Sequence, residues 1–158
     1  MIFVGIDVAK DKHDCFIINS EGEVLADVFT VSNSKEGFET LLRIINTCTG
    51  IDGGKIKVRL EATGHYSYNT LGFLLDNGLT TYVINPLHTN LYRKSLSLRK
   101  TKTNRVDARM IASMLMSDVS LKPYTNIEYH NSELKSLTRY RFNKVSERAK
   151  LKHLFQDW

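Results

Sequence analysis

The sequence predicts an α/β fold in which a mixed β-sheet is flanked by helices and followed by a long basic helix. Three observations carry that reading. Three strand-like segments succeed one another at the N-terminus, and helix-like and strand-like segments then alternate. From about Asn131 onward a single helical pattern runs on, rich in Lys and Arg.

The elements follow in order. "IFVGIDVA" (2–9) is apolar except for Gly5 and Asp7, which suits a central strand. A short polar turn leads to "DCFIIN" (14–19), "SEGE" makes a hairpin connection, and "VLADVFTV" (24–31) completes an antiparallel meander. "SNSKEGFETLLRIINTC" offers Ser and Asn as N-caps and places Phe38, Leu41, Leu42 and Ile45 at helical spacing; "TGIDGG" (49–54) is expected to end that helix. "KIKVRLEA" (55–62) alternates Ile56, Val58 and Leu60 with Lys and Arg and so predicts a half-exposed strand ending at Glu61. "YNTLGFLLDNG" (68–78) reads as a helix stopped at Asn77-Gly78, and "TTYVIN" (80–85) as a strand. Pro86 opens the helix "PLHTNLYRKSLSL". A basic loop then precedes "NRVDARMIASMLM" (104–116), with Val106, Met110, Ile111, Met114 and Leu115 on one side. A polar connector containing Pro123 leads to the last helix. The order β-β-β-α-β-α-β-α-α is that of a ribonuclease-H-like domain, an analogy of fold that says nothing by itself about chemistry.

The chain has 158 residues, 42% hydrophobic and 25% charged, enough for one globular domain with its own core. Cys15 and Cys48 lie in apolar segments without metal-ligand spacing and read as reduced thiols. There is no signal-peptide pattern and no apolar run long enough to span a bilayer, so a prokaryotic cytoplasm is the expected setting. Charge is divided unevenly. Residues 1–90 carry 7 Lys/Arg and 11 Asp/Glu, a balance of −4; residues 91–158 carry 15 and 6, a balance of +9. A back half this basic points to a polyanion, and nucleic acid is the expected partner.

Asp7 stands inside an apolar strand, where a carboxylate costs several kcal/mol, on the order given for buried charges, unless it is paired or holds a cation. Glu61 ends the fourth strand, at the edge where ligands collect in such sheets. Asn104 and Asp107 are three residues apart at a helix start, so their side chains point the same way. Each also has a local role, Asn104 as an N-cap and Asp107 as an acid in the first turn. Together the acids would supply oxygen ligands of the kind Mg²⁺ takes, and paired ions of that type act on phosphodiesters. The basic segment 93–109 would hold a nucleic-acid backbone beside them.

"GIDVAK" (5–10), "EATGHY" (61–66) and "KTNRVDARMIA" (102–112) resemble the three blocks of the DEDD transposases. These are the recombinases of the insertion-sequence "one-ten" family and the related Piv-type DNA invertases, whose N-terminal domain is similar to the RuvC resolvase. The resemblance covers residues 1 to about 117. It implies a RuvC-like domain over residues 1–125 and, over 126–158, the start of a linker or coiled-coil region. It also implies two Mg²⁺ (or Mn²⁺) ions bound at Asp7, Glu61, Asn104 and Asp107, serving DNA cleavage and strand exchange. Some members are guided by a structured RNA. The family's C-terminal domain carries a serine nucleophile, and that domain is expected to be absent here. At position 104 the family usually has Asp. The amide of Asn104 can still offer an oxygen but no charge, which predicts weaker occupancy of one metal site without loss of fold. Natural drift, a tolerated variant and an engineered inactivation all remain open.

Expected nucleic-acid contacts are Lys10, Arg93, Lys94, Arg99, Lys100, Lys102, Arg105 and Arg109, with Arg139, Arg141, Lys144 and Arg148 on the last helix. The apolar positions of that helix, Leu134, Leu137, Val145, Leu151 and Leu154, could instead form a seam between two copies, so a homo-oligomer is also expected. Two other functions compete. A non-catalytic nucleic-acid-binding module would treat Asn104 as the mark of a decayed site. An actin-like or sugar-kinase-like ATPase would want a Gly- and Thr/Ser-rich phosphate loop after Asp7, where "VAKDKHD" has neither Gly nor Thr.

Overall fold

The computed structural model describes residues 1–52, 54–62, 64–96, 104–117 and 121–154. Five strands and five helices are described: β1 (Ile2–Val8), β2 (Lys12–Asn19), β3 (Val24–Ser32), α1 (Lys35–Asp52), β4 (Ile56–Glu61), α2 (Tyr66–Asp76), β5 (Thr80–Ile84), α3 (Pro86–Leu96), α4 (Asn104–Ser117) and α5 (Asn126–Leu154). The mixed sheet has the order β3-β2-β1-β4-β5. The meander β1-β2-β3 is antiparallel, and β1, β4 and β5 run parallel. The chain divides into two units, Met1–Tyr124 and Thr125–Trp158.

Alternation along β1 assigns the two faces of the sheet. Ile2, Val4, Ile6 and Val8 pair with Asn19, Ile17, Cys15 and His13 and form one face. It meets α1 and α2, as the contacts of His13 with Phe38 and Thr70 show. Phe3, Gly5 and Asp7 lie on the other face. There Phe3, Phe16, Ile18 and Tyr82 pack against Ala108, Ala112 and Leu115 of α4. Ile84 packs against Met110, Ile111 and Met114 of the same helix. The sheet is thus covered on both sides, which explains why β1 is apolar almost throughout.

The main departures from the sequence reading each have a physical reason. β2 begins at Lys12 rather than Asp14, because His13 is fully buried and hydrogen-bonded on the strand instead of standing in a turn. β4 is not half-exposed: Arg59 is only 2% exposed, since β4 is an interior strand lying beneath α4. α5 starts at Asn126, five residues before the expected start at Asn131, behind a capping box. In that box Thr125 Oγ1 accepts the Glu128 N–H at 3.2 Å, and Glu128 Oε2 accepts the Thr125 N–H at 2.8 Å. α1 runs through Gly50 and ends at Asp52, within the segment 49–54 expected to end it.

Gly50 gains nothing from lacking a side chain, because a Cβ there would meet no atom within 4 Å. Gly50→Ala is expected to stabilise the chain by about 0.5–1 kcal/mol, the usual cost of glycine inside a helix. Calorimetry should show the melting temperature rising by roughly 1–4 °C; an unchanged value would mean that this last turn of α1 is not helical in solution.

Candidate metal and nucleic-acid site

Asp7 and Glu61 are brought together by strand register. Ile6 of β1 pairs with Leu60 of the parallel β4, so one step further Asp7 stands beside Glu61, and the strands themselves are about 4.8 Å apart. Both residues lie at the carboxyl edge of the sheet and are half-buried. From β1 the chain turns to β2 on one side, whereas from β4 it crosses through α2 to β5 on the other. Such a switch point leaves a crevice at the strand ends, the usual place for a ligand in open α/β sheets.

Glycine seats the helix that carries the third acid. A Cβ on Gly5 would sit 2.5 Å from the Ala112 nitrogen and closer still to the Ala108 carbonyl oxygen. The backbone of α4 therefore rests directly on β1, two residues before Asp7. Asp107, in the first turn of α4, is held at 4% exposure and directly precedes Ala108. Asn104 is the first residue of α4, and its side chain lies outside the described residues.

A further carboxylate in the row escaped the sequence reading. Asp14 is the antiparallel partner of Asp7, so the row across the sheet runs Thr30, Asp14, Asp7, Glu61, Ile84. Thr30 Oγ1 donates to Asp14 Oδ1 at 2.6 Å. The signal was present in the hairpin: a tight turn around residues 10–11 sets position 14 opposite position 7. The thiol of Cys15 registers the row from the opposite face. Burial pushes its pKa up, and the charges of Asp14 and Asp7 push it further.

The donor set is all oxygen, which suits a hard divalent cation. Among the described residues no group of three or more His, Cys, Asp or Glu is close enough to hold a metal ion. Register thus sets Asp7 beside Glu61, and Asp107 lies in the first turn of the helix seated on Gly5. His65, at the N-cap position of α2, makes no side-chain cap hydrogen bond and instead packs on the Tyr66 ring at 4.1 Å between centroids.

The expected basic contacts fall in three groups. Lys10 is exposed in the turn after β1, and Lys94 is exposed on α3. Arg109 is exposed on α4, bonds Asp27 and lies over the Phe16 ring. Arg99, Lys100 and Lys102 lie outside the described residues, as do the side chains of Arg93 and Arg105. On α5, considered alone, Arg139, Arg141, Lys144 and Arg148 are exposed, and Lys144 donates to Glu147 at 2.8 Å. Leu134, Leu137, Val145 and Leu151 are exposed on the same helix, while the Leu154 side chain lies outside the described residues.

His13 supports the site from behind. Its Nδ1 accepts the Ala9 N–H at 3.3 Å, so the neutral ring carries its proton on Nε2, which bonds Thr70 Oγ1 at 2.8 Å. Burial is the largest influence on its pKa and lowers it from 6.5, against smaller upward pulls from Asn33, Lys12 and Asp14. A histidine that resists protonation when folded favours the unfolded chain in acid. The His13 contribution to stability is complete above pH 6.5 and is lost as pH falls below it. Urea unfolding between pH 7.5 and 5.5 should show this decline, and His13→Gln should flatten it; an identical slope in the variant would assign the decline to other groups.

Comparisons with known proteins give the family and the fold. The family model of the IS110-type DEDD transposases, described as a transposase, matches residues 4–157. The pilin gene-inverting protein of Moraxella bovis is 32% identical over 116 residues, covering 70% of this chain and 33% of that protein. The mini-circle putative transposase for IS117 of Streptomyces coelicolor is 28% identical, covering 75% and 28% respectively. The chain thus spans about a third of the length of these curated relatives. In fold, it matches the T. thermophilus RuvC of a complex with a Holliday junction substrate. The TM-score is 0.50 at 14% identity, over 78% of this chain and 99% of that one. The sheet and its helices therefore have the RuvC-like, ribonuclease-H-like architecture. No helix among the described residues is long and apolar enough to cross a membrane.

Proposed function

The chain belongs to the IS110-type DEDD transposase family, and on that premise we propose that it is the RuvC-like catalytic part of a DNA recombinase. The observation that supports this reading is the strand register that sets Asp7 beside Glu61 at the sheet's switch point, together with the seat on Gly5 of α4, the helix that carries Asp107. Asp7, Glu61 and Asp107, with the amide oxygen of Asn104, would hold two Mg²⁺ or Mn²⁺ ions. Bound ions of this kind activate a nucleophile and offset charge on the phosphodiester that is cut.

The residues of the chain divide the remaining work. The carboxylates at the sheet edge fix where the scissile phosphate lies. Lys10, Lys94 and the basic segment 93–109 neutralise the DNA backbone on either side of it. We assign residues 1–125 to the catalytic domain and 126–158 to the start of a linker or coiled-coil region that contains α5. That helix offers its basic side chains to nucleic acid and its apolar positions to a second copy. Strand exchange would draw on a serine in a separate domain outside these 158 residues. An RNA guide and a prokaryotic cytoplasmic setting complete the proposal.

Calorimetric titration with Mn²⁺ tests the site. The chain should bind it, and Asn104→Asp should bind roughly ten-fold or more tightly, because one more anionic ligand joins the shell. Absence of binding even in Asn104→Asp would sink the metal reading and leave a nucleic-acid-binding module. DNA affinity should fall steeply with salt. Replacing Arg99, Lys100 and Lys102 with Ala should reduce the slope of log K against log salt by about 0.9 for each phosphate no longer neutralised. An unchanged slope would move the footprint elsewhere.

A further inference from the structure

We propose that His13 and Asn33 are positioning residues that lock the Ala9–Asp11 turn, so that Lys10 is presented to a DNA phosphate from a fixed backbone at the Asp7 edge. The inference rests on the recombinase reading above and adds to it the device that holds one wall of the site.

The turn follows Asp7 almost at once, and each of its three residues is tied by a hydrogen bond outside the β1–β2 ladder. The Ala9 N–H donates to His13 Nδ1 at 3.3 Å. Asn33 Nδ2 donates to the Lys10 carbonyl at 2.8 Å, and the Asn33 N–H donates to the Asp11 carbonyl at 2.9 Å. A connection of this length normally leaves such groups to water. Here His13 of β2 and Asn33, the residue just after β3, take them up.

His13 passes the restraint onward. The ring is 0% exposed and stacks on Phe38 of α1, with centroids 6.0 Å apart and planes inclined by 4°. Its Nε2 meets Thr70 Oγ1 on α2, one turn beyond Tyr66, where that helix leaves the loop that follows Glu61. One buried ring thereby joins the turn after Asp7 to the helix after Glu61, and the two acids sit on neighbouring strands. Lys10, at the tip, keeps its side chain in solvent. A cation on a fixed turn loses less freedom on meeting a phosphate than one on a mobile loop.

Two substitutions at one position separate the bonds of His13. The amide oxygen of Asn can replace Nδ1, and the amide of Gln can replace Nε2. His13→Asn therefore keeps the bond to Ala9 and loses Thr70, whereas His13→Gln keeps Thr70 and loses Ala9. Asn33→Ala, at a half-buried position, frees the Lys10 carbonyl with less risk to folding. The measurements on the 158-residue chain are melting temperature, Mn²⁺ affinity, affinity for a short DNA duplex, and hydrogen exchange of the 9–11 amides. His13→Gln and Asn33→Ala should each weaken Mn²⁺ or duplex binding about ten-fold, the lower end for residues that orient ligands. His13→Asn should stay within about three-fold of the parent at a similar drop in melting temperature. Equal binding by all variants, or equal weakening in both His13 variants, would reduce the ring to core packing and overturn the proposal. Should the parent chain bind neither Mn²⁺ nor duplex, the recombinase reading fails separately. Hydrogen exchange then decides the lock: faster exchange at Ala9 in His13→Gln than in His13→Asn supports it, and equal rates overturn it.

Discussion

Gly5→Ala is expected to lower the melting temperature of the chain by roughly 5–10 °C and to remove Mn²⁺ binding at the same time. A single added methyl group would be placed 2.5 Å from the backbone nitrogen of Ala112 and nearer still to the carbonyl oxygen of Ala108. Backbone atoms inside a helix cannot step aside by a rotamer change, so α4 must move as a body or β1 must bend. Overpacking of this type costs about 1–3 kcal/mol, and at 150 residues or more each kcal/mol is about 2–4 °C. The position of Asp107 depends on that close approach, so under the proposed ligand set a displaced α4 takes one ligand with it. Ala112→Gly offers a sharp control: it removes a Cβ that the new methyl would meet at 3.0 Å but leaves the two backbone clashes in place. The double substitution should therefore remain destabilised. A Gly5→Ala chain that melts within a degree of the parent and binds Mn²⁺ normally would show that α4 does not rest on β1 as described.

This close approach marks where the sequence was legible and where it was not. Element order and strand identity could be read because burial on two faces forces apolar runs, and β1 and β2 have them. Asp7 and Glu61 stood out because a carboxylate inside or ending such a run is costly to place there. Asp14 did not, since at the margin of a polar turn it looked like ordinary surface, and only its register opposite Asp7 gives it meaning. His13 was hidden in the same turn for the opposite reason. A polar side chain gives no hydrophobic signal, yet it is fully buried because both ring nitrogens find partners. Arg59 was read as outward-facing from the alternation of β4, a pattern that presumes one wet face, and the fold covers both. The early start of α5 was legible after all: Thr125 and Glu128 have capping-box spacing, although Pro123 just before them makes the segment resemble a continuing connector.

Asp7→Asn should raise the melting temperature of the metal-free chain while abolishing its stabilisation by divalent ions. In the sheet Asp7 lies between two carboxylates, Asp14 across the antiparallel pair and Glu61 across the parallel one. Like charges directly opposite on a sheet destabilise it, by up to about 1 kcal/mol per pair. Replacing the central charge with an amide of the same shape relieves both repulsions, and the bond of Asp14 to Thr30 stays in place. A metal-free gain of roughly 2–4 °C follows. In the parent chain a bound ion offsets the same repulsion. At a concentration about one hundred times its dissociation constant it would stabilise the fold by about 2.7 kcal/mol, a rise that Asp7→Asn should lack. Asp14→Asn separates charge relief from ligation, because Asp14 is held by Thr30 and lies outside the proposed ligand set. It should share the metal-free gain and keep most of the ion-induced rise. Thermal scans of the three chains, with EDTA and with Mn²⁺, provide the comparison. A lower metal-free melting temperature in Asp7→Asn would refute the like-charge account of this row, and a retained ion-induced rise would remove Asp7 from the ligand set. If both expectations hold, the edge of the sheet is a site that trades stability of the empty protein for the capacity to hold cations at a phosphodiester.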